Sequence, residues 1–188
     1  MAEVTNPFFE VNIDDCVVLE PHQLDNDIPD HLRAHLEKRV GRCTKHGLLV
    51  KVGEITSYGD ALMKAEDLNA RPEFAVSFNA TVCCPEEGHV IVAQVQKLGS
   101  MLVITSNGPI FSITQFTRDL WIDMENFAIV DGNIVILSEK NRPLAVGDIV
   151  KIQVLACKFA KNDRVIKVVS KLCGMANEQE ATKLFTTM

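Results

Sequence analysis

The chain has 188 residues, 47% of them apolar, and a formal net charge of −6. That is enough apolar material for one large domain or two small ones with buried cores. Six cysteines (16, 43, 83, 84, 157 and 173) lie scattered with no CxxC pair, and MAEVTNPFFEVNIDD meets acids at once instead of an apolar leader. These features predict reduced thiols in a cytosolic or nuclear protein that is not secreted, which leaves the Asn79-Ala80-Thr81 sequon silent. The longest uncharged stretch, Leu98 to Thr117, has membrane-spanning length, but Ser106-Asn107-Gly108-Pro109 sits in its middle. It predicts a turn between strands and no bilayer helix.

Charge divides the chain unevenly. Residues 1–85 carry net −6, residues 86–172 net +1 and the last 16 residues net −1. Between Lys140 and Lys171 there are 8 basic and 2 acidic residues, so the positive charge gathers late.

In chain order, FFEVNIDDCVVL (8–19) alternates Phe9, Val11 and Ile13 with polar residues and predicts a half-buried strand. Asp27 is a candidate N-cap, Pro29 and Asp30 suit a first helical turn, and Ile28, Leu32, Leu36 and Val40 form one apolar stripe before Gly41. Strands are predicted over 46–55 and 74–83; in the latter Phe74, Val76, Phe78, Ala80 and Val82 alternate cleanly. One helix on a small antiparallel sheet, an α+β domain, satisfies that pattern.

At Pro85-Glu86-Glu87-Gly88 the pattern changes to short β-runs: 89–96, 101–105, 110–115, 149–159 and 164–171. Leu120, Trp121, Met124 and Phe127 fall at helical spacing and predict a short helix plugging a barrel end between strands three and four. Five strands with that interruption predict an OB-fold, whose open face commonly binds single-stranded nucleic acid.

Several segments, in order, resemble the stalk subunit of multisubunit DNA-dependent RNA polymerases: GRCTKHGLLVKV (41–52), ITSYGDAL (55–62), FAVSFNATVCCPEEGHVIVAQVQKLG (74–99), NGPIFSI (107–113) and VGDIVKIQV (146–154). This is the family of the seventh subunit of eukaryotic RNA polymerase II and of its archaeal counterpart. The likeness runs from about Asn12 to Leu172, and VVLEPHQL (17–24) also resembles the start of stalk-like subunits of large cytoplasmic DNA viruses.

The resemblance implies a truncated ribonucleoprotein-like tip domain over 1–85, an S1-type OB-fold over 86–172, and a tail over 173–188 for which a short helix from Asn177 is predicted. It implies a non-catalytic subunit whose tip domain docks on the polymerase body while the OB domain faces exiting RNA. The implied partners are the large polymerase subunits, a companion stalk subunit and nascent single-stranded RNA, with no membrane. The location would be the nucleus, or the cytoplasm or virion for a viral member. Gly41, Gly47, Gly59, Pro85, Gly88, Gly99, Gly108 and Pro109 match glycines and prolines of the family. For docking the candidates are Gly41, Gly47, Gly59, Asp60, Leu62, Pro72 and Pro85, with the long 59–72 loop at their centre.

For nucleic acid, the ribbon KFAKNDRVIKVVSKL (158–172) is the leading candidate. A hairpin turning at Lys161-Asn162-Asp163 would crowd Lys151, Lys158, Lys161, Arg164, Lys167 and Lys171 together, and Lys97 would extend the patch. The competing reading is lysines that protect an edge strand. S1 domains often stack bases on an aromatic in the second strand, where this chain has Met101, Leu102 and Val103. Phe111 and Phe159 are substitutes; without stacking, contact is mainly electrostatic.

Other chemistry is weakly signalled. His31 and His35 have a metal-compatible spacing but no evident third ligand, adjacent Cys83 and Cys84 point to opposite faces, and the acidic pairs Asp14-Asp15 and Glu86-Glu87 diverge. No phosphate loop, nucleophile elbow or HExxH motif occurs, so no catalysis, metal or cofactor is expected. A free S1-type RNA-binding protein of translation or RNA decay is the alternative.

Overall fold

The computed structural model describes residues 4–99, 101–115, 122–130, 133–137 and 142–182. Among them thirteen strands and two α-helices occur in the order β1 (Phe8–Val18), α1 (Ile28–Glu37), β2 (Cys43–Thr44), β3 (Gly47–Tyr58), β4 (Leu62–Met63) and β5 (Pro72–Cys83). There follow β6 (Val90–Leu98), β7 (Leu102–Asn107), β8 (Ile110–Gln115), β9 (Phe127–Val130), β10 (Asn133–Ile136) and β11 (Arg142–Pro143). The last elements are β12 (Ile149–Lys158), β13 (Ile166–Met175) and α2 (Glu178–Ala181). No described helix is long and apolar enough to cross a membrane.

The first half is an antiparallel sheet in the order β1-β5-β3-β2, with β4 added beside β5. Alternation along β5 explains the arrangement. Phe74, Val76, Phe78, Ala80 and Val82 all face one side, where they form a core with Ile13, Val17 and Leu19 and with Leu32 and Leu36 of α1. Full burial of an aliphatic side chain contributes about 1.5–3 kcal/mol, so Leu32 and Leu36 hold the helix to the sheet.

The sequence expectations for this region need three corrections. Val40 lies beyond the helix and is exposed, because α1 stops at Glu37 and the chain turns before Gly41. Asp27 occupies the N-cap position without a side-chain cap bond; its own N–H is instead taken by Asp25 Oδ1 at 2.9 Å. Phe9 is exposed, since the helix covers only the later part of β1.

The second half is a closed barrel in which β6, β7 and β8 run as an antiparallel meander. β8 pairs in parallel with β13, β13 pairs with β12, and β12 returns to β6. Closure removes every free edge of that sheet. This connectivity is that of an OB-like barrel.

Among the described residues 122–130 the predicted helical plug does not appear. Residues 124–126 form a turn and Phe127 begins β9, which joins β10 and β11 in a small three-stranded sheet. Leu120 and Trp121 lie outside the described residues. Phe127, Ile134, Ile136 and Leu144 of this insert are buried in the barrel's own apolar cluster, so strands cover the end assigned to a helix.

Inside the barrel wall, Ser170 Oγ lies 2.6 Å from Ser112 Oγ and 2.8 Å from Thr114 Oγ1, and Asn107 Nδ2 donates to the Val92 carbonyl at 2.8 Å. The Thr105 hydroxyl, equally buried, has no hydrogen-bond partner among the described residues. A buried hydroxyl left unpaired costs about 1–3 kcal/mol. Thr105→Val, which keeps the shape and removes the hydroxyl, is therefore expected to leave stability unchanged or raise it by about 1 kcal/mol in urea denaturation.

The two halves touch through the opposite side of the sheet. Cys43, Leu48 and Cys83 belong to the barrel's cluster, with Phe8 and Val50 packed against it, whereas Leu49 and Val82, their neighbours in sequence, face the helix. Val4 bridges Val90, and Cys84 N–H donates to the Pro7 carbonyl at 3.0 Å. Gly47, at φ +120°, lets the start of β3 lie close against the end of β5, because a Cβ there would lie 2.4 Å from the Cys83 carbonyl oxygen. Gly47→Ala is expected to cost about 1–3 kcal/mol, read as a lowered urea midpoint with an unchanged slope.

Candidate nucleic-acid interface

The β12–β13 hairpin is the centre of the candidate site. Its register sets Lys158 directly opposite Lys167 and Cys157 opposite Val168. Like charges directly opposed on neighbouring strands repel, which favours an arrangement in which an outside anion sits between them. The hairpin turns through Ala160 to Asp163. Asn162 takes the left-handed conformation (φ +71°), Asp163 Oδ2 accepts the Ala160 N–H at 2.9 Å, and the Asp163 N–H donates to the Ala160 carbonyl at 3.0 Å. Asparagine is one of the few residues that visits this region readily.

The tip is clasped by the other half of the protein. Cys43 N–H donates to the Asp163 carbonyl at 2.7 Å, and Asn162 N–H donates to the Cys43 carbonyl at 2.9 Å. Lys158, Lys161, Arg164 and Lys167 are solvent-accessible, and none has an ion pair among the described residues. Beside them, Phe111 and Ile113 of β8 and Val165 and Val169 form an apolar groove of about 630 Å3 rimmed by Lys158 and Lys167. Phe111 is register partner of Lys167, so the ring and the cation share one strand pair. Phe159 packs against the barrel cluster, leaving Phe111 as the aromatic on this face.

The other predicted cations stand apart. Lys151 is ion-paired with Glu180 of α2 at 3.3 Å, so its charge is largely spent on the tail. Lys97 is exposed on β6 opposite Ile104, beyond the stretch of β6 that pairs with β12. Lys171 lies opposite Gln153. In β7, Leu102 is exposed, as is Met101 just before it, where an aromatic would stack.

The fold assembles a second group of cations that no single motif announces. Lys38, Arg39, Arg42 and Lys45 meet Lys161 around a cleft of about 690 Å3 between the sheet, the end of α1 and the hairpin tip. The signal was present as KRVGRCTK (38–45), which holds several cations and no acid. It was hidden by the acidic balance of the whole first half.

The proposed docking residues fall into two groups. Gly47, Pro72 and Pro85 are buried, and the Pro72 carbonyl accepts the Leu19 N–H at 3.0 Å, so they shape the fold. Gly41, at φ +79°, is exposed and donates its N–H to the Leu49 carbonyl at 2.8 Å. Gly59, Asp60 and Leu62 lie at an exposed loop where Leu62 is 70% and Leu68 98% exposed, beside exposed Met63 and Tyr58. Ion pairs Lys64–Glu73 and Arg71–Asp67 brace that loop. Lys64 holds the Glu73 carboxyl below its ordinary range, and the Asn69 N–H followed by Arg71 does the same for Asp67.

His31 Nε2 contacts Asp25 Oδ2 at 3.1 Å. No group of three or more metal-ligating side chains gathers among the described residues. Burial is the largest cause pushing the Cys83 thiol up to about 12 and the Cys157 thiol up to about 11.

The chain is 27% identical over 174 residues to a protein of Acanthamoeba polyphaga mimivirus whose curated name is "Putative DNA-directed RNA polymerase subunit". The match covers 92% of this chain and 85% of that protein. No family model matches the sequence.

A thiol that stays protonated is a poor nucleophile. Brief treatment with iodoacetamide near pH 8 is expected to alkylate exposed Cys16 while leaving Cys83 and Cys157 unmodified, as read by peptide mass spectrometry.

Proposed function

We propose that the chain is a non-catalytic stalk subunit of a DNA-directed RNA polymerase. The observation that carries this reading is the likeness, along 92% of the chain, to a viral protein named as a subunit of that enzyme. In this reading residues 1–85 dock on the polymerase body and residues 86–172 present the OB-like barrel to emerging RNA, with 173–188 as a tail. The partners are the large polymerase subunits, a companion stalk subunit and nascent single-stranded RNA. The viral likeness favours a viral member working in the cytoplasm or virion.

The geometry supports each role. An exposed cluster of large apolar side chains at a braced loop (Tyr58, Leu62, Met63, Leu68) is the kind of surface that a larger partner covers. The clasp between Cys43 and the hairpin tip ties the docking half to the barrel, so a fixed first half fixes where the cations point. The accessible cations Lys158, Lys161, Arg164 and Lys167 offer phosphates an electrostatic track, and Phe111 offers one base a stacking surface.

Two experiments test these roles. The double variant Leu62→Asp, Leu68→Asp is expected to fold normally and to lose stoichiometric recovery with the large polymerase subunits from infected or native cells. Undiminished recovery removes the docking role, and recovery with ribosomes alone points to a free RNA-binding protein. Replacing Lys158, Lys161, Arg164 and Lys167 by Ala is expected to weaken single-stranded RNA binding and to flatten its logarithmic salt slope by about 3, at about 0.7 per lost phosphate contact. Unchanged binding shows that the lysines only guard the hairpin.

A further inference from the structure

We infer that the cleft between the halves is a second phosphate site, and that single-stranded nucleic acid runs from the hairpin into it as one continuous path. The inference rests on the RNA-binding reading and extends it to the acidic half of the chain. Five cations (Lys38, Arg39, Arg42, Lys45 and Lys161) and two carboxylates (Asp14 and Asp15) line the cleft. Arg39 is occupied by Asp15 and by the Cys16 carbonyl, and Asp14 accepts the Ser77 hydroxyl at 2.5 Å. Lys38, Arg42, Lys45 and Lys161 have no ion pair among the described residues.

Lys161 of the hairpin turn brought against the unpaired cations of the 38–45 stretch is unfavourable without a counter-ion, and a polyanion is the ligand that relieves it. Their arrangement selects a linear one. Lys161 stands at the turn of the hairpin that carries Lys158 and Lys167 and also in the wall of the cleft, so the two groups are consecutive. The Cys43 clasp holds the hairpin tip against the Arg42–Lys45 segment, fixing the spacing before any ligand arrives. A charged groove that tracks a sugar–phosphate backbone is how proteins hold single strands without reading sequence.

The test uses the full chain, a fluorescein-labelled single-stranded RNA of about twelve nucleotides, within the span such grooves cover, and anisotropy at several salt concentrations. Arg42→Ala with Lys45→Ala, both exposed, is expected to weaken binding about tenfold or more and to lower the salt slope by about 1.4. Lys158→Ala with Lys167→Ala is measured beside it. Loss with the hairpin pair but not the cleft pair overturns the continuous path and leaves the hairpin reading standing. Loss with the cleft pair alone supports the cleft site and removes the hairpin from the path. Inorganic tripolyphosphate separates the sources of phosphate: if it raises the melting temperature through Arg42 and Lys45 while RNA affinity ignores both, the cleft holds free polyphosphate and the strand path fails. If the cleft pair abolishes copurification with the polymerase while RNA affinity stays, the cations meet protein and the inference is overturned.

Discussion

The pair of backbone hydrogen bonds between Cys43 and the tip of the β12–β13 hairpin is the constraint on which the relation of sheet to barrel depends. Each such bond adds only about 0.5–1.5 kcal/mol net, but these two act where the apolar contact is already made. Cys43, Leu48 and Cys83 face the barrel core from one side of the sheet while Leu49 and Val82 face α1 from the other. A single sheet therefore serves two distinct cores. The period-two alternation of a strand makes that possible without any extra layer.

From this arrangement follows the division of labour proposed for the surface. The exposed apolar loop lies at one end of the sheet, beside β4 and the start of β5. The cations lie where β2, the end of α1 and the hairpin tip converge. The surface proposed for a partner and the surface proposed for phosphates therefore fall on different parts of the chain.

Much of this was readable in the chain. The alternation from Phe74 to Val82 and the spacing of Leu32 and Leu36 named the first core correctly, because each pattern allows only one buried face. The barrel strands were legible from their turn residues, though the insert was not. Met124 and Phe127 are three apart, a spacing that suits a helix, but Asp131-Gly132 between FAIV and NIVIL is a hairpin signal that outranks it, and Val130 pairs with Asn133 across those two residues. Tertiary partners were beyond reach. Nothing in the local sequence says that Lys151 is neutralised by Glu180 from 29 residues away, or that KRVGRCTK comes to lie against Lys161. Counting charge over a whole segment averaged away the cluster that the fold assembles.

The parallel pairing of β8 with β13 also sets an order of events in folding. Its partners, Ile110 with Ile166 through Ile113 with Val169, are 56 residues apart in the chain, so the wall cannot shut until Ile166 to Val169 have left the ribosome. Such long-range pairing slows maturation, and until then β8 presents an unsatisfied ladder of amides and carbonyls to any neighbouring strand. A nascent chain stalled before Ile166 would be the species most prone to aggregate, and the final strand is what renders the product safe.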